Sequence, residues 1–287
     1  MTSKHILFFI IKGIMGFLLV FTDVVFAVGG RSYSLLSFKH ISSNEGLQNT
    51  SIRSVYQDRK GFIFIGTEDG LHLYNGNNIR VFNHDPRNEN SLPGREIRAI
   101  VEDPDSNFVY WIGTDNGLCR FNLLKNTYRN YFKKKNPKKY TKPPGSINCL
   151  YTDSYGNLWV GFQFNGLQKY DPTLKHFTIF KNDPDDPGSL SHNAINFITE
   201  DDNGNVWVVT GQGTINKYDQ DAGKFIRYTF YEQKEIRKLK TKYRHILRAT
   251  ARGSNNILWL GFYDGYIYRF DMSSGEYNFI ETLYPQL

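Results

Sequence analysis

Cysteine is almost missing from this chain: Cys119 and Cys149 are the only two in 287 residues. That excludes a small scaffold stapled by several disulfides. Zinc-binding Cys and His spacing, a phosphate-cradling glycine loop and a nucleophile motif are all missing, so the sequence names no cofactor, no metal and no catalytic residue. Beyond the first 27 residues no apolar run approaches the ~20 residues that a membrane-spanning helix needs. Long helical patterns are lacking too. Short β-branched and aromatic runs are bounded instead by Gly, Asn and Asp clusters, which is strand and turn punctuation.

What the chain does have is a repeat. Gly156-Asn157-Leu158-Trp159-Val160-Gly161, followed by Gly166-Leu167, returns as Gly61-Phe62-Ile63-Phe64-Ile65-Gly66, Val109-Tyr110-Trp111-Ile112-Gly113, Gly204-Asn205-Val206-Trp207-Val208 and Ile257-Leu258-Trp259-Leu260-Gly261. The anchors Phe64, Trp111, Trp159, Trp207 and Trp259 stand 47, 48, 48 and 52 residues apart. Each period has room for four strands; in the third they are 147–152, 157–161, 166–171 and 176–180. Four short strands per period is the blade of a β-propeller. The predicted fold is therefore all-β, with blades at about 52–83, 97–132, 147–181, 195–230 and 246–283, and the repeated aromatics packing between blades.

Residues 1–27 read as an export signal: Lys4, His5 and Lys12 precede an apolar run from Gly13 to Phe21, and Val25-Phe26-Ala27 supplies the small residues of a cleavage site near Ala27. Lys12 and Asp23 interrupt the run and argue against a membrane anchor. Export with so little cysteine points to a periplasm. Cys119 and Cys149 fall on different strand types of different blades, which disfavours a disulfide between them. Residues 33–41 read as a lone outer strand, yet the fifth unit already has one of its own. Five blades and an orphan strand are the arithmetic of part of a larger, seven-bladed ring, or of a five-bladed ring with an extra edge strand.

The repeats resemble the two-component regulator propeller repeats of periplasmic sensor regions in Bacteroidetes hybrid two-component regulators. Ser54-Val55-Tyr56-Gln57-Asp58-Arg59-Lys60-Gly61, Ile65-Gly66-Thr67-Glu68-Asp69-Gly70-Leu71, and the linkers His84-Asp85-Pro86 to Ser91-Leu92 and Asn182-Asp183-Pro184 to Ser189-Leu190 carry the likeness. It implies a sensor module that binds a glycan, at a surface that in such proteins includes a second propeller. It also implies a membrane helix, a histidine kinase, a receiver and a DNA-binding domain elsewhere in the protein; none of these is legible here. This chain is then the opening piece of a sensor, attached to a membrane only through those parts or an uncleaved signal.

Blade geometry indicates where a ligand would bind. The turns between second and third strands and the connections between blades emerge at one end, and long loops on a rigid scaffold are where recognition concentrates. On that end Phe164 and Tyr263 are candidates for stacking on sugar rings, and Asn116, Asn165, Asn193 and Gln212 for hydrogen bonding. Arg95, Lys142, Arg244 and His245 are candidates for carboxylate or sulfate. Most of the net charge of +7 belongs to Lys133, Lys134, Lys135, Lys138, Lys139 and Lys142, and to a second cluster from Lys234 to Arg248, which would favour an anionic oligosaccharide. The run Asp201-Asp202-Asn203-Gly204-Asn205 lacks the Glu of a calcium loop and reads as a turn. Two other readings compete: a propeller lyase using His192 or His245, and an interaction scaffold that pairs propellers in a homodimer. Nucleic acid is not an expected partner outside the cytoplasm.

Overall fold

The computed structural model describes residues 27–28, 31–32, 40–131, 145–211, 213–229, 247–263 and 265–280. The chain divides into residues 1–40 and 41–287. Of the first unit only a short antiparallel pair is described, β1 (Ala27–Val28) with β2 (Arg31–Ser32). The expected export signal and most of the predicted strand at 33–41 lie outside the described residues.

The second unit is built from five antiparallel four-stranded sheets, each in sequence order. Blade 1 is β3 (Ile52–Gln57), β4 (Ile63–Thr67), β5 (Gly70–Tyr74) and β6 (Ile79–Phe82). Blade 2 is β7 (Ile97–Glu102), β8 (Val109–Thr114), β9 (Gly117–Asn122) and β10 (Thr127–Tyr131). Blade 3 is β11 (Ile147–Thr152), β12 (Leu158–Phe162), β13 (Leu167–Asp171) and β14 (His176–Phe180). Blade 4 is β15 (Ile195–Glu200), β16 (Val206–Thr210), β17 (Ile215–Asp219) and β18 (Lys224–Tyr228). Blade 5 is β19 (Leu247–Arg252), β20 (Ile257–Phe262), β21 (Ile267–Asp271) and β22 (Glu276–Ile280). Both faces of an interior blade are apolar because both are covered, so its strands do not alternate cleanly between apolar and polar.

The core is four separate layers, one per junction between blades. Phe64, Leu71 and Phe82 meet Ile100, Tyr110 and Phe121; Trp111 and Leu118 meet Leu158 and Val160. Trp159 and Leu167 meet Ile198 and Val208; Trp207 and Ile215 meet Leu258, Leu260 and Phe270. Each anchor aromatic thus packs on the following blade, with Trp159 5.1 Å from Tyr218 and Trp207 5.5 Å from Phe270. Trp259 departs from the expected burial and is 38% exposed, because among the described residues no blade follows it. Residues 43–48 partly cover the opposite end of the arc, where Leu47 is buried and the Gln48 amide donates to His72 Nε2 at 3.2 Å.

In blades 3 and 4 the turn before the anchor is locked by a carboxylate. Asp153 accepts from the backbone of Tyr155 and Asn157, from the Asn157 amide and, at 2.7 Å, from Trp159 Nε1. Asp201 repeats this with Asn203, Asn205 and Trp207 Nε1, at 2.9 Å for the indole. Burial alone would raise the Asp201 carboxyl, but these donors together hold it below its ordinary value. In blade 1 the anchor is Phe64, which has no indole, and Tyr110 Oη of blade 2 fills the place by donating to Asp58 Oδ2 at 2.7 Å. Tyr110→Phe is expected to cost about 2 kcal/mol, the scale of a hydrogen bond to a charged acceptor, measured as a lower urea midpoint.

The connections at 83–96 and 181–194, expected as free recognition loops, run along the outermost strand of the following blade. Arg227 on β18 donates to the Ser189 carbonyl at 3.0 Å and to Ser189 Oγ at 2.8 Å, and Phe225 N donates to the Gly188 carbonyl at 2.8 Å. Asn130 on β10 likewise donates to the Ser91 carbonyl at 2.9 Å. These straps cover sheet edges that would otherwise be open to pairing with another chain.

His72 on β5 is fully buried, its Nδ1 has no hydrogen-bond partner, and burial lowers its pKa. The unfolded chain then binds the proton more readily, so this residue's contribution is whole above the ordinary 6.5 and is lost as pH falls from there toward the folded value. Stability should start to fall as pH drops below the ordinary 6.5, before most carboxylates titrate. His72→Gln, which takes the residue found at the matching Gln168 of β13, should flatten that fall in a pH series of urea midpoints.

Candidate ligand site at the hub

The innermost strands pack in succession from β3, with β7, β11 and β15 each set against the first two strands of the blade before it. The anchor motif permits this. A Cβ on Gly66 would lie 2.5 Å from the Ile97 carbonyl, one on Gly113 2.6 Å from Ile147 Cγ2, and one on Gly161 2.7 Å from Ile195 Cγ2. Only glycine leaves room for the next innermost strand. In blade 4 the matching residue is Val209, buried against Leu247, and there β19 touches β15 only sparsely. A cavity of about 230 Å³ opens at this point, lined by Asn148, Asn196, Phe197, Leu247, Arg248, Ala249 and Thr250.

The polar groups of that cavity come from a second repeated device. In all five blades the register between the first two strands slips at one residue: Arg53, Arg98, Asn148, Asn196 and Arg248. A bulge leaves its residue unpaired and re-aims the side chain, a common arrangement beside functional sites. The five therefore form a ring at the hub, at the end where the interblade connections arrive.

The ring has two unlike halves. Arg53 and Arg98 both pair with Glu96 at 3.0 Å, and Arg53 also with Glu68. Arg98 donates to Asn148 Oδ1 at 3.1 Å, and Asn148 Nδ2 donates to the Ile195 carbonyl at 3.1 Å. In that sector the charges are matched, and Arg98 Nε alone of the guanidinium nitrogens is buried without a hydrogen-bond partner. Beyond it, among the described residues, the Asn196 amide has no hydrogen bond and Arg248 has no carboxylate; the Arg248 guanidinium lies 4.8 Å from the centre of the Tyr263 ring.

Of the residues expected from sequence, Tyr263 is the one set beside this cavity, through Arg248. Arg95 pairs with Asp69 at 3.1 Å, and Asn116 Nδ2 donates to the Pro93 carbonyl at 2.8 Å. Asn193 sits next to the Phe164-Asn165-Gly166 turn, accepting from Gly166 N at 2.8 Å through its carbonyl and from Asn182 N at 2.8 Å through its side chain. Phe164 is exposed and Asn165 half-buried. Lys142, Gln212, Arg244 and His245 lie outside the described residues, as do both lysine-rich stretches except Arg248. His192 Nδ1 accepts from Ala194 N at 3.0 Å. Both cysteines are free; burial pushes the Cys149 thiol up to about 12 and Cys119 higher still, so neither is a reactive thiolate. Arg53, Arg98, Asn148 and Asn196 were not among the expected site residues. Their signal is a polar residue after the first Ile or Leu of every unit: Ile52-Arg53, Ile97-Arg98, Ile147-Asn148, Ile195-Asn196, Leu247-Arg248.

A larger cleft of about 420 Å³ opens at the opposite end between blades 3 and 4, lined by Asp153, Tyr155, Asn205, Lys217, Tyr218 and Asp219 among others. Its buried Asp153 and half-buried Asn205 are already committed to the turn locks.

The model of the two component regulator propeller matches residues 46–69, 141–163 and 189–212, which span the first two strands of blades 1, 3 and 4. Histidine kinase P4 of Formosa agariphila is 34% identical over 89 residues, 29% of this chain and 6% of that protein. The extracellular domain of a B. thetaiotaomicron one-component system superposes with a TM-score of 0.62 at 23% identity, over 82% of this chain and 28% of that one. Virginiamycin B lyase from Staphylococcus aureus gives 0.58 at 14% identity, over 88% and 74%. At these identities the two structures share the propeller fold, and the chain spans only a small part of the kinase and of the sensor domain. The repeat is matched in three blades and its four-stranded geometry is present in all five, so the chain carries two component regulator propeller repeats.

Proposed function

We propose that this chain is the ligand-sensing propeller of an extracytoplasmic two-component sensor, and that it takes an oligosaccharide at the hub end. The observation that carries this reading is the repeated bulge. Five blades spend the same backbone irregularity on aiming Arg or Asn side chains at one place, which packing alone does not require. The likeness to a histidine kinase and to a sensor extracellular domain supports the signalling context and the export. A sensor needs only differential affinity for two arrangements of its surroundings, so no group in the chain is assigned a catalytic role. The seven-bladed ring belongs to the same proposal, with further blades covering the face that carries Trp259, Ile267 and Ile280.

Calorimetric titration of the chain with neutral and acidic oligosaccharides tests this. Saturable heat with at least one of them, without turnover, is expected. Silence across both sets would remove the sensor reading, and cleavage of a sugar would replace it with the lyase.

A further inference from the structure

The two halves of the hub ring differ in what they leave unspent. From Arg53 to Asn148 every charge is matched: Glu68 and Glu96 face Arg53 and Arg98, and Asn148 is held from both sides. From Asn196 to Arg248 a carboxamide without a hydrogen bond and a guanidinium without a carboxylate border the cavity, among the described residues. The cavity exists because Val209 stands where the four other blades have glycine and keeps β19 off β15. Phe197, Leu247 and Ala249 add apolar surface to a lining that also holds Asn148 and Thr250, and the Tyr263 ring lies 4.8 Å from the Arg248 guanidinium.

From this we infer that the gap between blades 4 and 5 is a subsite for a carboxylate-bearing sugar, a uronate at the end of an oligosaccharide. Arg248 supplies the planar pair of donors that matches a carboxylate, and Asn196 binds the adjacent hydroxyl or the second carboxylate oxygen. The apolar surface takes the face of the sugar ring. A cavity of about 230 Å³ admits one such ring rather than a chain, so the rest of the ligand extends outward past Tyr263. Neutral sugars fit the same space but leave the guanidinium without its counter-charge, which sets the preference.

The inference rests on the oligosaccharide reading, and the test separates the two. The full chain is titrated with digalacturonate and with neutral galactobiose, as wild type and as Arg248→Gln, Arg248→Lys, Asn196→Ala and Val209→Gly. Expected results are at least tenfold tighter binding of digalacturonate, loss of that preference in Arg248→Gln, partial retention in Arg248→Lys, and several-fold loss in Asn196→Ala. Val209→Gly lets β19 close in and should remove binding although both polar groups remain; the urea midpoint of each variant shows that it is folded. Equal affinity for the two sugars, or an unchanged preference in Arg248→Gln, overturns the uronate subsite and leaves the sensor reading standing. No heat with either sugar overturns both.

Discussion

Gly113→Val is expected to lower the stability of the propeller by about 3 kcal/mol, the upper range for forcing extra atoms into a packed core. A Cβ at this position would lie 2.6 Å from Ile147 Cγ2 and 3.1 Å from Ile147 Cβ. Ile147 is fully buried and begins the innermost strand of blade 3, so it cannot swing aside without moving the hub. The molecule already contains the outcome of such a change, because blade 4 has Val209 and its neighbour β19 stands off. The variant should therefore also loosen the junction between blades 2 and 3, seen as faster amide exchange along β11. A urea midpoint within experimental error of wild type would mean that the glycine is not what brings successive blades together.

Asp153→Ala is expected to cost about 3 kcal/mol, since it strands several buried donors at once and a single unsatisfied one already costs ~1–3 kcal/mol. The largest of these is Trp159 Nε1, whose ring is 1% exposed. Asp153→Asn, which keeps one acceptor oxygen, should recover about half. Asp201→Ala should behave alike in blade 4, and its acid dependence follows from sign. The folded carboxyl is held low, so its stabilisation is whole above the ordinary 3.8 and is lost as pH falls from there through the folded value. Near-neutral effects of both alanine substitutions would show that the turns are held by backbone geometry alone.

The strands were legible because the repeat made each unit a check on the others. The third unit's expected strands at 147–152 and 176–180 coincide with β11 and β14, and its middle two differ by a residue. The run Asp201 to Asn205 read as a turn, and the structure adds that the Asp201 carboxylate reaches the Trp207 indole. Trp259 was misplaced because burial of an anchor depends on the next blade, which its own sequence does not encode. Placement by loop also favoured the rim over the hub. The straps at 83–96 and 181–194 have the composition of free loops, yet their polar groups are satisfied on β10 and β18. The ring was missed for a related reason. A one-residue slip in register turns a side chain to the other face, and strict alternation along β15 or β19 gives no sign of it. Val209 was in plain view as the one unit without glycine among the first four, but its consequence needed the distance from the neighbouring strand.

The most direct test of ligand binding at the hub is hydrogen exchange with and without digalacturonate. Slowed exchange is expected in β15 and at the start of β19, around Asn196 and Arg248, with no change at 203–206 and 217–221 on the opposite end. Protection at the opposite cleft with none at the hub would contradict the assignment, and would move the site to the Asp153 and Asp219 side of blades 3 and 4.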